Sequence, residues 1–232
     1  DINTQIPVFI HITEANVHDV NAMDIINYEP FAYYIFDRAY VDYLRLYRIT
    51  KSDAYFVVRA KSNVKFKRMY SKKTDKSTGV IYDQTGKIDG FYTSKDYPEK
   101  IRKVKFFDAE NKKMLIFLTN NFDLSAQQIA LLYKQRWQIE LFFKWIKQHL
   151  KVKTFWGTTE NAVRIQINIA IITYCLVSII AEDLKINRSI YEILQILSAS
   201  LLDKTPVNEL LMKSDYNNIN ELDSNQLVFN LF

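Results

Sequence analysis

Cysteine, glycine and proline are all scarce in this sequence, which has 1, 4 and 4 of them among 232 residues. A single cysteine, Cys175, excludes a disulfide within the chain and is typical of a reducing compartment. Because Cys175 lies in an apolar run, we predict a buried structural thiol and not a nucleophile. So few glycines and prolines exclude collagen-like and low-complexity chains, and 48% hydrophobic residues favour a well-cored globular protein.

A secretory leader and a membrane span are not predicted. The opening residues DINTQIPVF have neither a basic start nor a long apolar core. The longest apolar run, IQINIAIITYCLVSIIA (165–181), approaches the length of a transmembrane helix. Polar side chains interrupt this run, and Arg164 and Glu182 flank it. We therefore predict a buried core helix and no contact with a membrane.

Charge is distributed unevenly along the chain. Residues 1–58 hold 4 basic and 8 acidic side chains, residues 59–153 hold 22 and 9, and residues 154–232 hold 5 and 9. The net charges are therefore −4, +13 and −4, which sum to the +5 of the whole chain. Such a basic middle third is typical of a surface that binds a polyanion such as nucleic acid, although a solvated basic face has the same composition.

The first sixty residues alternate between strand and helix patterns. Strands are predicted at IPVFIHIT (6–13), FAYYIF (31–36) and AYFVVRA (54–60), and helices at HDVNAMDIINY (18–28) and VDYLRLYRIT (41–50). This order predicts an α/β fold with short connections.

Short alternating runs follow between residues 61 and 122, separated by turn residues, and predict an antiparallel β module. We expect its basic residues to contact phosphates; they are Lys65, Lys67, Arg68, Lys72, Lys73, Arg102, Lys103 and Lys105. Helices are predicted at 125–150, where Ser125 and Gln128 form a capping box, at 160–184 and at 189–202, before an irregular tail.

The helix at 125–150 carries four polar residues at regular steps, namely Tyr133, Arg136, Glu140 and Lys147. At about 100° per residue they share a stripe about 60° wide, beside an apolar stripe that faces a core. An ordinary ladder of paired surface charges would have the same spacing.

The chemistry of this stripe suits phosphoryl transfer. A glutamate among basic residues can be held ionised and can ligate a hard cation, while the tyrosine and basic groups can bind phosphates. Catalytic Mg²⁺ needs more than one carboxylate. Asp37 is the candidate partner of Glu140, because it ends a buried strand in YYIFDRAY.

These motifs resemble one known family. The spacing Tyr133-x2-Arg136-x3-Glu140-x6-Lys147 is similar to the Y-R-E-K signature of the IS4 family of bacterial insertion-sequence transposases. DRAY (37–40) resembles the second catalytic Asp motif of that family, and IPVFIHITEANVHDV and FWGTTENAVRIQINIAI are similar as well. The resemblance covers nearly the whole chain.

The resemblance implies a fold and a domain organisation. The fold would be the RNase H-like α/β domain of DDE transposases, truncated at its amino terminus, over residues 1–60 and 123–184. A β-rich insertion would occupy 61–122, and a C-terminal helical region and tail would occupy 185–232.

The resemblance also implies a function. Asp37 and Glu140 would be catalytic and would ligate Mg²⁺, two ions in the complete site, with Mn²⁺ as a possible substitute. Tyr133, Arg136 and Lys147 would bind phosphates at the transposon end. Trp137 would pack against DNA or, equally, within the protein. The protein would cut and paste double-stranded DNA at transposon ends and target, self-associate in a synaptic complex, and work in the bacterial cytoplasm at the nucleoid.

One departure from the family concerns the first catalytic Asp. In the family it lies on the first strand of the sheet, upstream of the segment similar to IPVFIHIT, so we expect this chain to begin after it. His11, Glu14, His18 and Asp19 are too poorly spaced for a metal site. The alternatives are a non-catalytic DNA-binding remnant of a disrupted transposase, and an unrelated RNase H-like nuclease, which would leave the Tyr-Arg-Glu-Lys set unexplained.

Overall fold

A computed structural model of the chain describes residues 1, 4, 6–14, 16–150, 155–200, 202 and 204–213, with the backbone alone for 212 and 213. The chain divides into two compact units, Asp1–Phe143 and Lys144–Phe232. The first unit contains a sheet with helices, and the second is helical in its described residues. The predicted α/β class is confirmed.

A six-stranded mixed sheet forms the centre of the first unit. The strands are β1 (Tyr33–Phe36), β2 (Tyr55–Arg59), β3 (Phe66–Lys72), β4 (Val80–Ile88), β5 (Ile101–Asp108) and β6 (Lys113–Thr119). Their order across the sheet is β1-β2-β6-β5-β4-β3, so β1 and β3 are its edges. The β1–β2 pair is parallel, and every other pair of neighbours is antiparallel. The β-rich region 61–122 therefore continues the same sheet, and the predicted domain boundaries remain a proposal.

Seven α-helices accompany the sheet in the described residues: α1 (Tyr43–Lys51), α2 (Thr93–Asp96), α3 (Ala126–Gln135), α4 (Trp137–His149), α5 (Glu160–Asp183), α6 (Ile190–Ala199) and α7 (Val207–Lys213). Short 3₁₀ helices occur at Asp19–Asp24, Arg38–Tyr40 and Lys76–Thr78. Side-chain caps fix several of these starts. Ser125 and Gln128 form the predicted capping box of α3, and Ser189 and Glu192 form another on α6.

Helices pack on both faces of the sheet. Because side chains alternate between faces along a strand, each face has its own core. On the α1 face, Leu46 and Ile49 of α1 are fully buried in one core with strand residues Phe36, Phe56, Val58, Ile88, Ile101 and Leu118. On the α3 face, Ile129 of α3 is fully buried with strand residues Val57, Val80, Val104, Phe106, Leu115 and Phe117. Each such aliphatic side chain contributes about 1.5–3 kcal/mol on burial.

A buried ion pair crosses the α3 face. Arg102 on β5 is 1% exposed and donates through Nε and Nη2 to the two carboxylate oxygens of Asp83 on β4, at 2.8 and 2.7 Å. Its Nη1 donates to the carbonyl oxygens of Asn121 and Leu124, at 3.2 and 2.6 Å. The guanidinium therefore ties two strands to the loop that leads into α3. This corrects the prediction that Arg102 contacts phosphates.

The strand predicted at 6–13 is wrong. Residues 6–13 have no regular secondary structure, and Val8, Phe9 and Ile10 are exposed. A strand needs a neighbour to take up its backbone hydrogen bonds, and among the described residues none pairs with this segment. The β-branched pattern indicates a propensity for strand, but a strand also needs a neighbouring strand to pair with.

Other local predictions were confirmed or corrected. β1 and β2 lie within the predicted segments and α1 overlaps its predicted segment, whereas the helix predicted at 18–28 is a short 3₁₀ helix. Residues 90–94 (GFYTS), within the region predicted as an antiparallel β module, contain the start of α2. The single helix predicted at 125–150 is two helices interrupted at Arg136.

The second unit packs around α5. Val177 of α5 is buried with Ile193 and Ile196 of α6 and Leu211 of α7. By length and composition α5 could cross a membrane, but core helices of soluble proteins pass the same test. Only 22% of its most apolar window is buried. The predicted core helix is therefore only partly buried, because its other side exposes five aliphatic side chains: Ile165, Ile169, Ile172, Leu176 and Ile179.

The buried ion pair predicts a large stability effect. Asp83→Ala leaves the Arg102 guanidinium buried without its countercharge, so the free energy of unfolding should fall by about 3–5 kcal/mol. Urea unfolding followed by circular dichroism measures this. Lys51→Ala is the control, because Lys51 and Glu99 are 4.0 Å apart with side chains 63% and 47% exposed. It should change the same quantity by less than about 1 kcal/mol. Similar small losses in both variants would contradict a structural role for Arg102.

Candidate active site

Asp37 stands at one edge of the sheet because of the strand topology. The parallel strands β1 and β2 end side by side, with Phe36 opposite Val58. Asp37 directly follows β1 and caps the 3₁₀ helix Arg38–Tyr40, its Oδ1 accepting a hydrogen bond from the Arg38 backbone amide at 2.6 Å. The carboxyl ends of parallel strands are where α/β proteins commonly place ligand-binding groups.

Tyr133 connects α3 to this edge. It lies in the last turn of α3, is 7% exposed, and packs its ring against Phe117 of β6 with centroids 4.7 Å apart. Its hydroxyl donates to Asp37 Oδ1 over 3.3 Å. The aromatic ring is thus part of the α3-face core, while its hydroxyl reaches the predicted catalytic carboxylate.

Arg136 and Glu140 continue the site across the helix interruption. Arg136 is the single residue between α3 and α4, and its backbone amide bonds back to the Tyr133 carbonyl at 3.1 Å. Its Nη2 donates to Glu140 Oε1 at 2.7 Å. The guanidinium carbon lies 5.7 Å from the centre of the Tyr133 ring. Its Nε is buried and has no hydrogen-bond partner among the described residues.

The charges of these groups influence one another's pKa values. Burial and the charge of Asp37 raise the pKa of the Tyr133 hydroxyl, while Arg136 and Arg59 act in the opposite direction. Burial opposes the charged form of Arg136, but the hydrogen bond to Glu140 and the nearby Tyr133 and Asp37 outweigh it, so the pKa of Arg136 is raised. Tyr133 therefore stays protonated and Arg136 stays charged at neutral pH.

Arg59 is a residue of this site that the sequence analysis missed. Arg59 is the last residue of β2, and Asp37 directly follows β1, the neighbouring strand. Arg59 pairs with Phe117 in the sheet and is partly exposed. Its charge acts to lower the pKa of Tyr133, and its strand partner Phe117 packs against the Tyr133 ring. The signal was available, because YFVVR ends in Arg59 where the neighbouring strand is followed by Asp37.

The remaining predicted residues, Trp137 and Lys147, are exposed. Lys147 is exposed on the part of α4 that belongs to the second unit. Trp137, the first residue of α4, is 56% exposed and so is not a core residue. Within the described residues, no group of three or more His, Cys, Asp or Glu side chains could hold a metal ion. The structure thus connects Asp37 to Glu140 through Tyr133 and Arg136.

The two roles of Tyr133 can be separated. Tyr133→Phe keeps the ring and removes the hydroxyl, so the free energy of unfolding should change by less than about 1.5 kcal/mol. Tyr133→Ala also removes the ring from the core, so the loss should be about 3–5 kcal/mol. Urea unfolding of both variants measures the difference. Equal losses would show that the hydroxyl, and not the ring, stabilises the fold.

Comparison with known proteins identifies the family. A family model described as a transposase DDE domain matches residues 1–176. A Sinorhizobium fredii protein named as transposase y4zB is 36% identical over 211 residues, which is 89% of this chain and 59% of that protein. A Geobacillus stearothermophilus protein named as the transposase for insertion sequence element IS5377 is 36% identical over 151 residues, or 64% of this chain and 39% of that protein.

A third relative is more distant. A Synechocystis protein named as the transposase for insertion sequence element IS4SA is 28% identical over 171 residues, covering 73% of this chain and 47% of that protein. The chain spans less than two thirds of the length of each of these three relatives. The match of the family model over residues 1–176 shows that the chain belongs to the transposase DDE domain family.

Proposed function

We propose that this chain carries part of the catalytic centre of a bacterial insertion-sequence transposase of the IS4 type, which cleaves and joins DNA at transposon ends with Mg²⁺. The observation that carries the proposal is the chain of contacts Asp37–Tyr133–Arg136–Glu140. These contacts support the proposal that the two predicted acidic residues serve one site, because the two predicted phosphate-binding residues connect them. An ordinary ladder of surface charges would not include a buried tyrosine bonded to a strand-end carboxylate.

The carboxylates suit a hard divalent cation. Asp37 and Glu140 each engage one oxygen in a hydrogen bond, and the other oxygen of each makes none among the described residues. Carboxylate oxygens are the ligands that Mg²⁺ and Mn²⁺ prefer in proteins. A bound ion would polarise a phosphoryl group and lower the pKa of the attacking water. Asp37 and Glu140 would hold it as the second and third acidic residues of the family's set.

The cationic groups suit the phosphates beside the reacting bond. The Nε of Arg136 is a buried donor without an acceptor, which costs about 1–3 kcal/mol until an acceptor arrives. A phosphate oxygen would accept from it and would compete with Glu140 for the rest of the guanidinium. The Tyr133 hydroxyl would donate to the same or the next phosphate. Arg59 would add positive charge near the Tyr133 hydroxyl.

The finer features of fold and setting belong to the same proposal. β1, α1 and β2 would be part of an RNase H-like domain, and β3–β6 would be an insertion that extends its sheet. Double-stranded DNA of the transposon ends and target would be the partner, and a synaptic complex would bring copies of the chain together. Such a protein would work at the nucleoid in the bacterial cytoplasm.

Metal binding can be tested without activity. Millimolar Mn²⁺ should broaden the amide NMR signals of residues around Asp37 and Glu140, because paramagnetic relaxation acts only near a bound ion. Asp37→Asn and Glu140→Gln should each reduce this broadening. Glu99→Gln, which changes an exposed carboxylate paired with Lys51, should leave it unchanged. Broadening that persists in both site variants would overturn the proposed ligands.

Cleavage provides the second test. A protein expressed from the longest reading frame that contains these residues should nick transposon-end DNA with Mg²⁺, and Glu140→Gln should abolish nicking while keeping the fold. The 232-residue chain alone should bind DNA weakly and fail to nick, since the resemblance places the first acidic residue upstream and a lost metal ligand costs orders of magnitude in rate.

Two results would contradict this assignment. Robust nicking by the 232-residue chain would show that its first carboxylate lies within these residues. DNA binding without nicking by the longest product would favour the alternative, a non-catalytic DNA-binding remnant.

A further inference from the structure

The acidic side chains of strands β3–β6, Asp83 and Asp108, both lie on one face of the sheet. Strand register places Asp83, Asp108 and Arg102 on the α3 face, where Asp83 pairs with Arg102 and Asp108 pairs with Lys134 of α3. Arg68, Lys103 and Lys105 are on the α1 face, because Arg68 pairs with Gly86 while Lys103 and Lys105 pair with Gln84 and Tyr82. Within the ranges of β3–β6 that face has no aspartate or glutamate.

The lysines of the α1 face are held over aromatic rings. Lys103 Nζ lies 4.2 Å from the centre of the Phe66 ring and 5.4 Å from that of Tyr82. Lys105 Nζ lies 5.9 Å from the centre of the Tyr82 ring. Both side chains are partly buried, so their stems pack on the sheet while their charges stay at its surface.

This part of the α1 face is not covered by helices. The core beneath α1 and the short helix α2 includes Ile101 of β5 and Leu118 of β6. Further along the same two strands, Phe107 and Met114 are 37% and 51% exposed. A ligand with a flat or extended shape can therefore reach it.

The arrangement of charge is unfavourable by itself. Burial and the charge of Arg68 lower the pKa of Lys103, as expected for like charges that share one face of the sheet. None of Arg68, Lys103 and Lys105 forms an ion pair with a described residue. Gathering like charges over a low-dielectric surface raises the local potential, and a polyanion relieves the repulsion.

We propose that Arg68, Lys103 and Lys105, with the rings of Phe66 and Tyr82, form a DNA-binding surface separate from the Asp37–Glu140 site. We name it the cationic sheet face. It would bind the phosphate backbone with little dependence on sequence, while the rings position the lysines. This inference rests on the proposed function insofar as it takes DNA as the ligand, but it does not require the Asp37–Glu140 site to be catalytic.

A pair of double variants in the 232-residue chain tests the proposal. Lys103→Gln/Lys105→Gln removes two charges from the cationic sheet face. Lys87→Gln/Lys113→Gln is the matched control, because both lysines are exposed and lie on the opposite face, where Lys87 pairs with Lys67 and Lys113 pairs with Asp108. Both variants change the net charge by the same amount. Affinity is measured by fluorescence anisotropy with a labelled DNA duplex of arbitrary sequence over a range of salt concentrations.

The expected result is a change in the salt dependence of one variant. Each lost phosphate contact lowers the slope of log affinity against log salt by about 0.9, so Lys103→Gln/Lys105→Gln should lower it by about 2. Lys87→Gln/Lys113→Gln should leave the slope nearly as in the wild type. Lys103→Arg/Lys105→Arg keeps the charge and should retain the slope, which separates lost charge from lost packing. Circular dichroism of each variant confirms the fold.

Other outcomes overturn the proposal in distinguishable ways. Equal changes in both Gln variants would mean that only net charge matters and that the face is merely solvated. An unchanged slope in Lys103→Gln/Lys105→Gln, or no binding by the wild-type chain, would also overturn it. If the Mn²⁺ and nicking tests fail while the salt-dependence test succeeds, the catalytic assignment is wrong, but DNA binding by the cationic sheet face is still supported.

Discussion

The buried contact between Arg102 and Asp83 is the constraint on which the position of the site depends. A guanidinium in the interior is tolerated only when its donors are satisfied, and here a carboxylate and two backbone carbonyls do so. Those carbonyls belong to the loop that ends at the cap of α3. The start of α3 is thereby fixed to β4 and β5, and the last turn of α3 carries Tyr133 to the end of β1. The edge that carries Asp37 is thus positioned by a charge pair on the other side of the sheet from the cationic sheet face.

The interruption at Arg136 has a local cause and a consequence for the site. The Arg136 amide bonds to the Tyr133 carbonyl three residues earlier, and the Ile139 amide bonds to the Arg136 carbonyl, so the turn is tighter than an α-helix. Arg136 nevertheless keeps helical dihedral angles. The helix axis can therefore change at the one residue whose side chain contacts both the Tyr133 ring and Glu140. Tyr133 stays in the core while Glu140, with its side chain 42% exposed, remains accessible to ligand.

Much of this could be predicted from sequence, and the failures have physical reasons. β1, α1, β2 and the cap of α3 follow from local patterns, and the association of Asp37 with Tyr133 and Arg136 followed from a family motif. The segment 6–13 failed because strand formation is a property of a pair of strands. Arg102 was misassigned although its position on β5 alternates with Lys103 and matches that of Val104 and Phe106, which indicates a buried side. Its partner Asp83 is 19 residues away, and no local pattern identifies it.

The two edges of the sheet differ in their capacity to grow. β3 is almost wholly exposed and carries Lys67, Arg68 and Lys72, and such charges discourage another strand from pairing with it. β1 has four residues, Tyr33–Phe36, and none of them is charged. Its outer backbone groups lie at the opposite edge, next to the carboxylate of Asp37. A further strand can therefore pair with β1 beside Asp37, whereas the charges on β3 oppose such pairing at the other edge of the sheet.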